Sequence, residues 1–273
     1  MNMKDKIKLI AIDFDGTFLD DTHYKHNLSY VDKIFETGKK IVFASGRGTA
    51  GIVTLIEKLG IKDKVRYVIG HNGAEIYDVL EEKIIYQNII DDEIAFGIIN
   101  FVINAGFTNP ISIHKWNKLI TYNYDKRVDL ENKVNFTTGY EIDDIKDFPK
   151  EKLKLMFFAT GKEVNDIYDL INNSKYSTKV TQARNENILV EVTAKGINKA
   201  NALKYLVDKL GIEMNEILAF GNAENDIDMI KEVGYGYAMK NSVDSLKKVA
   251  KYITKYDNND CGVEREIIDI FYN

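Results

Sequence analysis

Two aspartates set two residues apart, Asp13 and Asp15, are where this sequence first offers chemistry. They stand in Asp13-Phe14-Asp15-Gly16-Thr17, directly after an apolar run that begins at Lys8. Paired carboxylates divide a labour. One attacks an electrophilic centre such as phosphorus, while the other, protonated, gives its proton to the leaving oxygen. Each raises the other's pKa, which makes that split attainable. Gly16 admits a sharp turn and Thr17 brings a hydroxyl to hold it. The pair alone reads better as two loop aspartates capping backbone amides. Gly-Thr immediately behind a buried strand favours the chemistry.

Three further groups have the same character. Ser45-Gly46-Arg47 offers a hydroxyl, backbone amides and a guanidinium suited to bidentate pairing with a phosphoryl oxygen. Taken alone it is also an ordinary Ser-Gly turn. Lys199 opens a helix after Gly196, where the macrodipole slightly disfavours a cation. Beside clustered carboxylates and a transferring phosphoryl group, a cation is what the charge balance needs. Gly221-Asn222-Ala223-Glu224-Asn225-Asp226 crowds polar side chains behind another apolar run. Capping of the next helix accounts for Asp226 as well as metal binding does. Oxygen donors from this loop and from Asp13 suit magnesium, which takes one or two carboxylates, several waters and the substrate phosphate.

These groups need elements to position them. Lys8–Phe14 is a buried strand, followed by a helix over 29–37, a strand over 40–44, a helix over 52–59 and a strand over 66–69. Such alternation predicts a parallel sheet covered by helices, with ligands at the carboxyl ends of its strands. From about residue 83 the pattern changes. A helix capped by Asp91 and Asp92, a hairpin over 111–122, a strand over 153–159, a helix over 163–172 and strands near 179–182 and 188–192 read as an α+β insert. From Lys199 the α/β alternation resumes: helix 199–210, strand 216–220, helix 226–232, strand 235–239, helix 243–250, strand 251–254 and helix 263–271. The expected architecture is an α/β, Rossmann-like doubly wound parallel sheet built from 1–82 and 190–273, with an inserted α+β cap over 83–189.

Composition bounds the partners. The chain has 273 residues, 45% hydrophobic and 29% charged, with a formal net charge of −5. That mild charge gives no reason to expect nucleic acid or an anionic membrane. No run approaches the 18 or so apolar residues of a membrane span. Lys4, Lys6 and Lys8 precede a short apolar stretch that Asp13 and Asp15 interrupt, so a secretory signal is not expected here. Cys261 is the single cysteine, which excludes an internal disulfide, and His23, His26, His71 and His114 include no HExxH pair. A cytoplasmic protein is expected.

Together the motifs resemble the haloacid dehalogenase (HAD) superfamily of phosphatases, and within it the Cof-type branch with a large type 2 cap. Residues 10–19, IAIDFDGTFL, match that family's first motif, and Ala44-Ser45-Gly46-Arg47 matches its second. Lys195-Gly196-Ile197-Asn198-Lys199 is similar to the Lys-Gly-x-x-Lys segment of the third. Gly221 to Asp226 with Met229 resembles the fourth, and His71-Asn72-Gly73-Ala74 resembles the Asn-Gly-Ala segment before the branch's cap. The resemblance implies a phosphatase for small phosphorylated metabolites such as sugar phosphates, nucleotides or phosphorylated cofactors. In it Asp13 is the nucleophile that becomes an aspartyl phosphate, Asp15 is general acid and then base, and Lys199 binds the phosphoryl group. Ser45, Gly46, Arg47, Asn72 and Asn225 would serve the phosphate and the substrate. Asp13, Asp15 through its carbonyl, Asn222 and Asp226 would hold Mg2+.

One residue departs from the family. Asn222 stands where the fourth motif usually has a metal-binding aspartate. An amide oxygen coordinates a hard cation without bringing charge, so weaker magnesium binding is expected. A phosphomutase of the same chemistry and a catalytically weakened phosphate-binding or regulatory protein are the alternatives. A receiver-type signalling domain also has a phosphorylated aspartate, but has no use for an acid two residues on or for a large insert. In the insert, His114, Trp116, Arg127 and Arg184 are the candidates for substrate recognition.

Overall fold

The computed structural model describes residues 2–22, 28–185 and 188–273; His23 and His26 lie outside them. Two compact units emerge. The first comprises Met1–Gly46, Leu55–Ile85 and Asn198–Asn273, and the second comprises Arg47–Thr54 and Tyr86–Ile197.

Along the chain the elements run α1 (Met3–Lys6), β1 (Leu9–Asp13), α2 (Leu28–Glu36), β2 (Lys40–Ala44), α3 (Thr49–Lys58), β3 (Tyr67–Gly70), β4 (Glu75–Asp78) and β5 (Lys83–Gln87). Then come α4 (Asp92–Asn104), β6 (Ile111–Lys115), β7 (Lys118–Tyr122), α5 (Asp129–Asn135), β8 (Thr138–Ile142), β9 (Lys154–Phe158), α6 (Lys162–Asn172), β10 (Val180–Asn185) and β11 (Leu189–Ala194). The last stretch is α7 (Lys199–Leu210), β12 (Ile217–Gly221), α8 (Ile227–Glu232), β13 (Tyr235–Ala238), α9 (Asp244–Val249), β14 (Tyr252–Ile253) and α10 (Gly262–Tyr272).

The first sheet has the order β14-β13-β12-β1-β2-β3-β4-β5. From β14 to β3 every neighbouring pair is parallel. Its centre explains its sequence: all five residues of β1 and of β12 are buried, because strands covered on both faces need apolar side chains throughout. The expected doubly wound parallel sheet is present, and at one edge it turns antiparallel, where β3 pairs with β4. Only residues 71–74 separate them, too few for the dozen or so residues of a parallel crossover.

Three aromatics seat the loop that follows β1. Phe14 stacks on Phe43 with ring centroids 4.4 Å apart, and Phe18 lies 5.0 Å from Phe43. Each is essentially inaccessible, and burying such a ring contributes about 1.5–3 kcal/mol. The turn between Asp13 and Phe18 is therefore pinned at both flanks.

In the second unit the sheet order is β10-β11-β9-β6-β7-β8. All its pairs are antiparallel except β7 with β8. That parallel pair is joined through α5, an element absent from the sequence reading, as was β8. In the α4 helix Ala95, Ile98, Ile99 and Val102 are buried, and Val164, Ile167 and Ile171 are buried in α6. Asp91 caps α4 by accepting from the amides of Glu93 and Ile94.

Candidate active site

Asp13 is the last residue of β1, and Lys199 is the first of α7. The α7 helix starts where it does because the Asn198 side chain accepts from the Asn201 amide at 2.7 Å. Its N-terminus lies close against the loop after β3: a Cβ added to Gly73, whose φ is +106°, would stand 2.3 Å from the Asn198 carbonyl oxygen. Only glycine permits that approach.

Lys199 Nζ reaches Asp13 Oδ1 at 2.6 Å and Asp226 Oδ1 at 2.7 Å. Its side chain and that of Asp226 are fully buried. The other carboxylate oxygen of Asp226 accepts from the amides of Asn222 and Ala223 at 2.9 and 3.0 Å. Asp226 thus holds both the lysine and the loop behind β12. Gly221 is required there, since a Cβ would fall 2.6 Å from the Asp226 side chain.

Asn222 turns toward the first loop. Its Oδ1 accepts from the Thr17 hydroxyl at 3.1 Å, and its amide lies over Gly16, whose φ is +72°. Asn241, which the sequence reading did not single out, donates to the Gly16 carbonyl at 2.8 Å. Ser45, just beyond β2, has its hydroxyl 3.5 Å from Asp15 Oδ2, at the outer limit of a hydrogen bond. Its amide donates to the Ile69 carbonyl and its carbonyl accepts from the Asn72 amide. Asn225 Nδ2 donates to Asn72 Oδ1 at 2.9 Å, and the Asn72 side chain lies over Gly46. His71 and Asn72 are successive non-glycine residues with positive φ, 52° and 57°. Such strain persists only where the surroundings enforce it, and it gathers at functional sites.

The electrostatics follow from this packing. Burial, then repulsion from Asp226, pushes the Asp13 carboxyl up to about 7, although Lys199 pulls the other way. Burial alone would depress Lys199, but the attraction of Asp13 and Asp226 outweighs it and holds the ammonium well above its ordinary value. Asp13 and Asp226 share Lys199, and Asp15 adds to the repulsion on Asp13. That negative excess and the all-oxygen donor set fit a hard divalent cation, which needs few protein ligands. Among the described residues, no group of three or more His, Cys, Asp or Glu side chains forms a ready-made metal cage.

The structure thus gathers Asp13, Asp15, Ser45, Gly46, Asn72, Lys199, Asn222, Asn225 and Asp226 in the first unit. Arg47 falls in the second unit, where its guanidinium donates to the Val134 carbonyl. Of the recognition candidates there, His114 is buried with Nε2 2.9 Å from Glu131 Oε1. Arg127 is forked onto the neighbouring Asp125. Arg184 stacks on Tyr168 and donates to Asn165, and Trp116 is exposed at the β6–β7 turn. Polar residues just past a strand end were the signal that marked Ser45 and Asn222. The same signal points to Asn241, three residues beyond β13.

With this geometry in place, the chain belongs to the haloacid dehalogenase-like hydrolases, whose family model matches residues 10–267. A Streptococcus pyogenes serotype M6 protein is 30% identical over 275 residues, covering 96% of this chain and 97% of its own length. The Bacillus subtilis 5-amino-6-(5-phospho-D-ribitylamino)uracil phosphatase YcsE is 31% identical over 277 residues, with 96% and 94% covered. The crystal structure of a haloacid dehalogenase-like hydrolase from Bacteroides thetaiotaomicron superposes with a TM-score of 0.89 at 28% identity, covering 97% of this chain and all of that one.

Proposed function

We propose that this protein is a magnesium-dependent phosphatase of the Cof-type branch, with residues 83–189 as its type 2 cap, acting on small phosphorylated metabolites. The observation that carries the proposal is the buried lysine shared by two carboxylates: Lys199 joins Asp13 and Asp226 at the carboxyl ends of adjacent strands. A full-length relative named as a phosphatase supports it.

In this reading an Asp13 oxygen attacks phosphorus and the bond to the leaving alcohol breaks. Asp15 gives that alcohol its proton. Water then attacks the phosphoryl-aspartate, Asp15 takes the water's proton, and phosphate and free Asp13 result. Lys199 balances the charge of Asp13 and of the phosphoryl oxygens, with the Ser45 hydroxyl and the Gly46 backbone beside them. Asp13, the Asp15 carbonyl and Asn222, on a loop fixed by Asp226, would hold magnesium, which would supply positive charge to offset that of the phosphoryl group. Asn72 and Asn225, tied to each other, serve the substrate beside Gly46.

Turnover of p-nitrophenyl phosphate in magnesium tests the proposal, and Asp13→Asn should abolish it in a folded protein. A variant that keeps more than a few per cent of the rate contradicts the assignment. Asn222 alone favours a second reading, a phosphate-binding protein with weakened catalysis, and the same assay separates the two. A panel of phosphorylated sugars, nucleotides and cofactors, including the compound for which the Bacillus subtilis relative is named, identifies the substrate.

A further inference from the structure

Behind β13 lies a short segment that no step above uses, and it touches both of the loops that the reading above gives to magnesium. Strand register puts it there. In the first sheet β13, β12 and β1 are neighbours in that order, and Ala238, the last residue of β13, is level with Gly221. The chain leaving Ala238 therefore emerges beside the loops that follow β12 and β1.

Residues 239–243 hold the β12 loop by its backbone. The Met239 amide donates to the Gly221 carbonyl at 2.9 Å, and the buried Ser242 hydroxyl donates to the same oxygen at 3.1 Å. The Val243 amide donates to the Asn222 carbonyl at 3.0 Å. The segment is itself anchored: Met239 is fully buried, and the Lys240 amide donates to the hydroxyl of buried Thr254 at 3.0 Å. From this support Asn241 Nδ2 reaches the Gly16 carbonyl, 225 positions earlier in the chain, at 2.8 Å.

Gly16 needs such a restraint. Its φ is +72°, and a Cβ there would stand 2.3 Å from Asn222 Nδ2. Glycine meets both demands, yet it is the residue with the most backbone freedom to lose. The peptide before Gly16 carries the Asp15 carbonyl. The peptide after it leads to Thr17, whose hydroxyl donates to Asn222 Oδ1. A donor fixed on the Gly16 carbonyl thus sets the Asp15 carbonyl and the Asn222 side chain relative to each other.

We infer that Asn241 is a positioning residue for the metal site, holding Gly16 so that the Asp15 carbonyl and Asn222 Oδ1 are set for one divalent cation. The inference rests on the phosphatase reading, because that reading assigns magnesium to these two oxygens. The sign of one substitution separates it from a bystander role. A carboxylate added beside a cation site in which it has no structural part tightens the cation. Asn241→Asp keeps the size of the side chain, removes the donor and sets a negative charge against the Gly16 carbonyl. For a positioning residue it does the reverse.

The experiment is calorimetry of magnesium with the parent, Asn241→Ala and Asn241→Asp, with the magnesium dependence of p-nitrophenyl phosphate turnover measured beside it. Asn241→Ala should raise the magnesium Kd roughly three- to tenfold, the range of one lost hydrogen bond. Asn241→Asp should raise it too, in spite of its added charge. Half-maximal magnesium in turnover should shift with the Kd, while kcat at saturating magnesium changes less than about twofold. A tighter or unchanged Kd in Asn241→Asp overturns the inference, as does a lower melting temperature in EDTA with the Kd unchanged. If Asn241→Asp does not fold, an unchanged Kd in Asn241→Ala overturns it equally. Weaker magnesium in both variants, with no turnover by any of the three proteins, would sink the phosphatase reading alone. Turnover that depends on magnesium identically in all three would sink the positioning role alone. A parent that binds no magnesium would sink both.

Discussion

Asp13→Asn should stabilise the metal-free protein, and should do so only at higher pH. The Asp13 carboxyl is raised from 3.8 to about 7 in the folded chain, chiefly by burial and by Asp226. A carboxylate with a raised folded pKa leaves its full stability in place below its unfolded value and loses it as pH rises through the folded one. Between about pH 4 and 7 the folded state holds a proton that the unfolded state has released, so stability falls across that window. The shift of about three units corresponds to at most about 4 kcal/mol at pH 8. Solvent penetration and relaxation reduce the realised share to roughly 1–2 kcal/mol. Asparagine imitates the protonated acid, and Lys199 keeps Asp226 as its partner. In EDTA the melting temperature of Asp13→Asn should therefore exceed that of the parent at pH 8, by roughly 2–4 °C per kcal/mol. The gain should shrink toward zero near pH 4 and on addition of magnesium at pH 8. Thermal melts across that pH range provide the assay. A melting temperature at pH 8 equal to or below the parent's, or a gain independent of pH, would refute the reasoning.

The remaining predictions concern the acid and the metal. Asp15→Asn should slow alkyl phosphates far more than aryl phosphates, toward the 10²–10⁴-fold that general acid catalysis typically contributes, because aryl leaving groups need little protonation. Equal losses on both substrate types argue against Asp15 as the acid. Asn222→Asp should lower the magnesium concentration for half-maximal activity and tighten magnesium in calorimetry, leaving substrate preference unchanged, since a carboxylate holds a hard cation better than an amide oxygen. Unchanged or poorer magnesium binding would mean that Asn222 is no ligand.

How much of this was legible beforehand depended on how strongly a residue's surroundings constrain its type. Apart from Asp13 and Lys40 at their ends, β1, β2 and β12 are short apolar runs because strands covered on both faces favour apolar side chains, and polar residues at or behind the ends of such runs stand out. The loops carrying Asp13, Ser45 and Asn222 were visible for that reason. The antiparallel turn from β3 into β4 was not, because Glu75 and Asp78 at either end of a four-residue strand obscure its period. Nor were α5, seven residues with one buried side chain, and β8, whose first four residues are exposed, since neither has an apolar face to betray it. Asn241 acts through one side-chain amide whose partner, the Gly16 carbonyl, lies far away in sequence. A lone asparagine looks the same in sequence whether it serves a buried carbonyl or bulk water.

The central claim is covalent: phosphate passes through the side chain of Asp13. Borohydride reduces an acyl phosphate to the alcohol, so enzyme quenched during turnover of p-nitrophenyl phosphate and reduced at once should have homoserine at position 13 when its peptides are sequenced by mass spectrometry. The account predicts that product with substrate and none without it, and none in Asp13→Asn. Steady turnover with an unmodified Asp13, or reduction at another carboxylate, would contradict it.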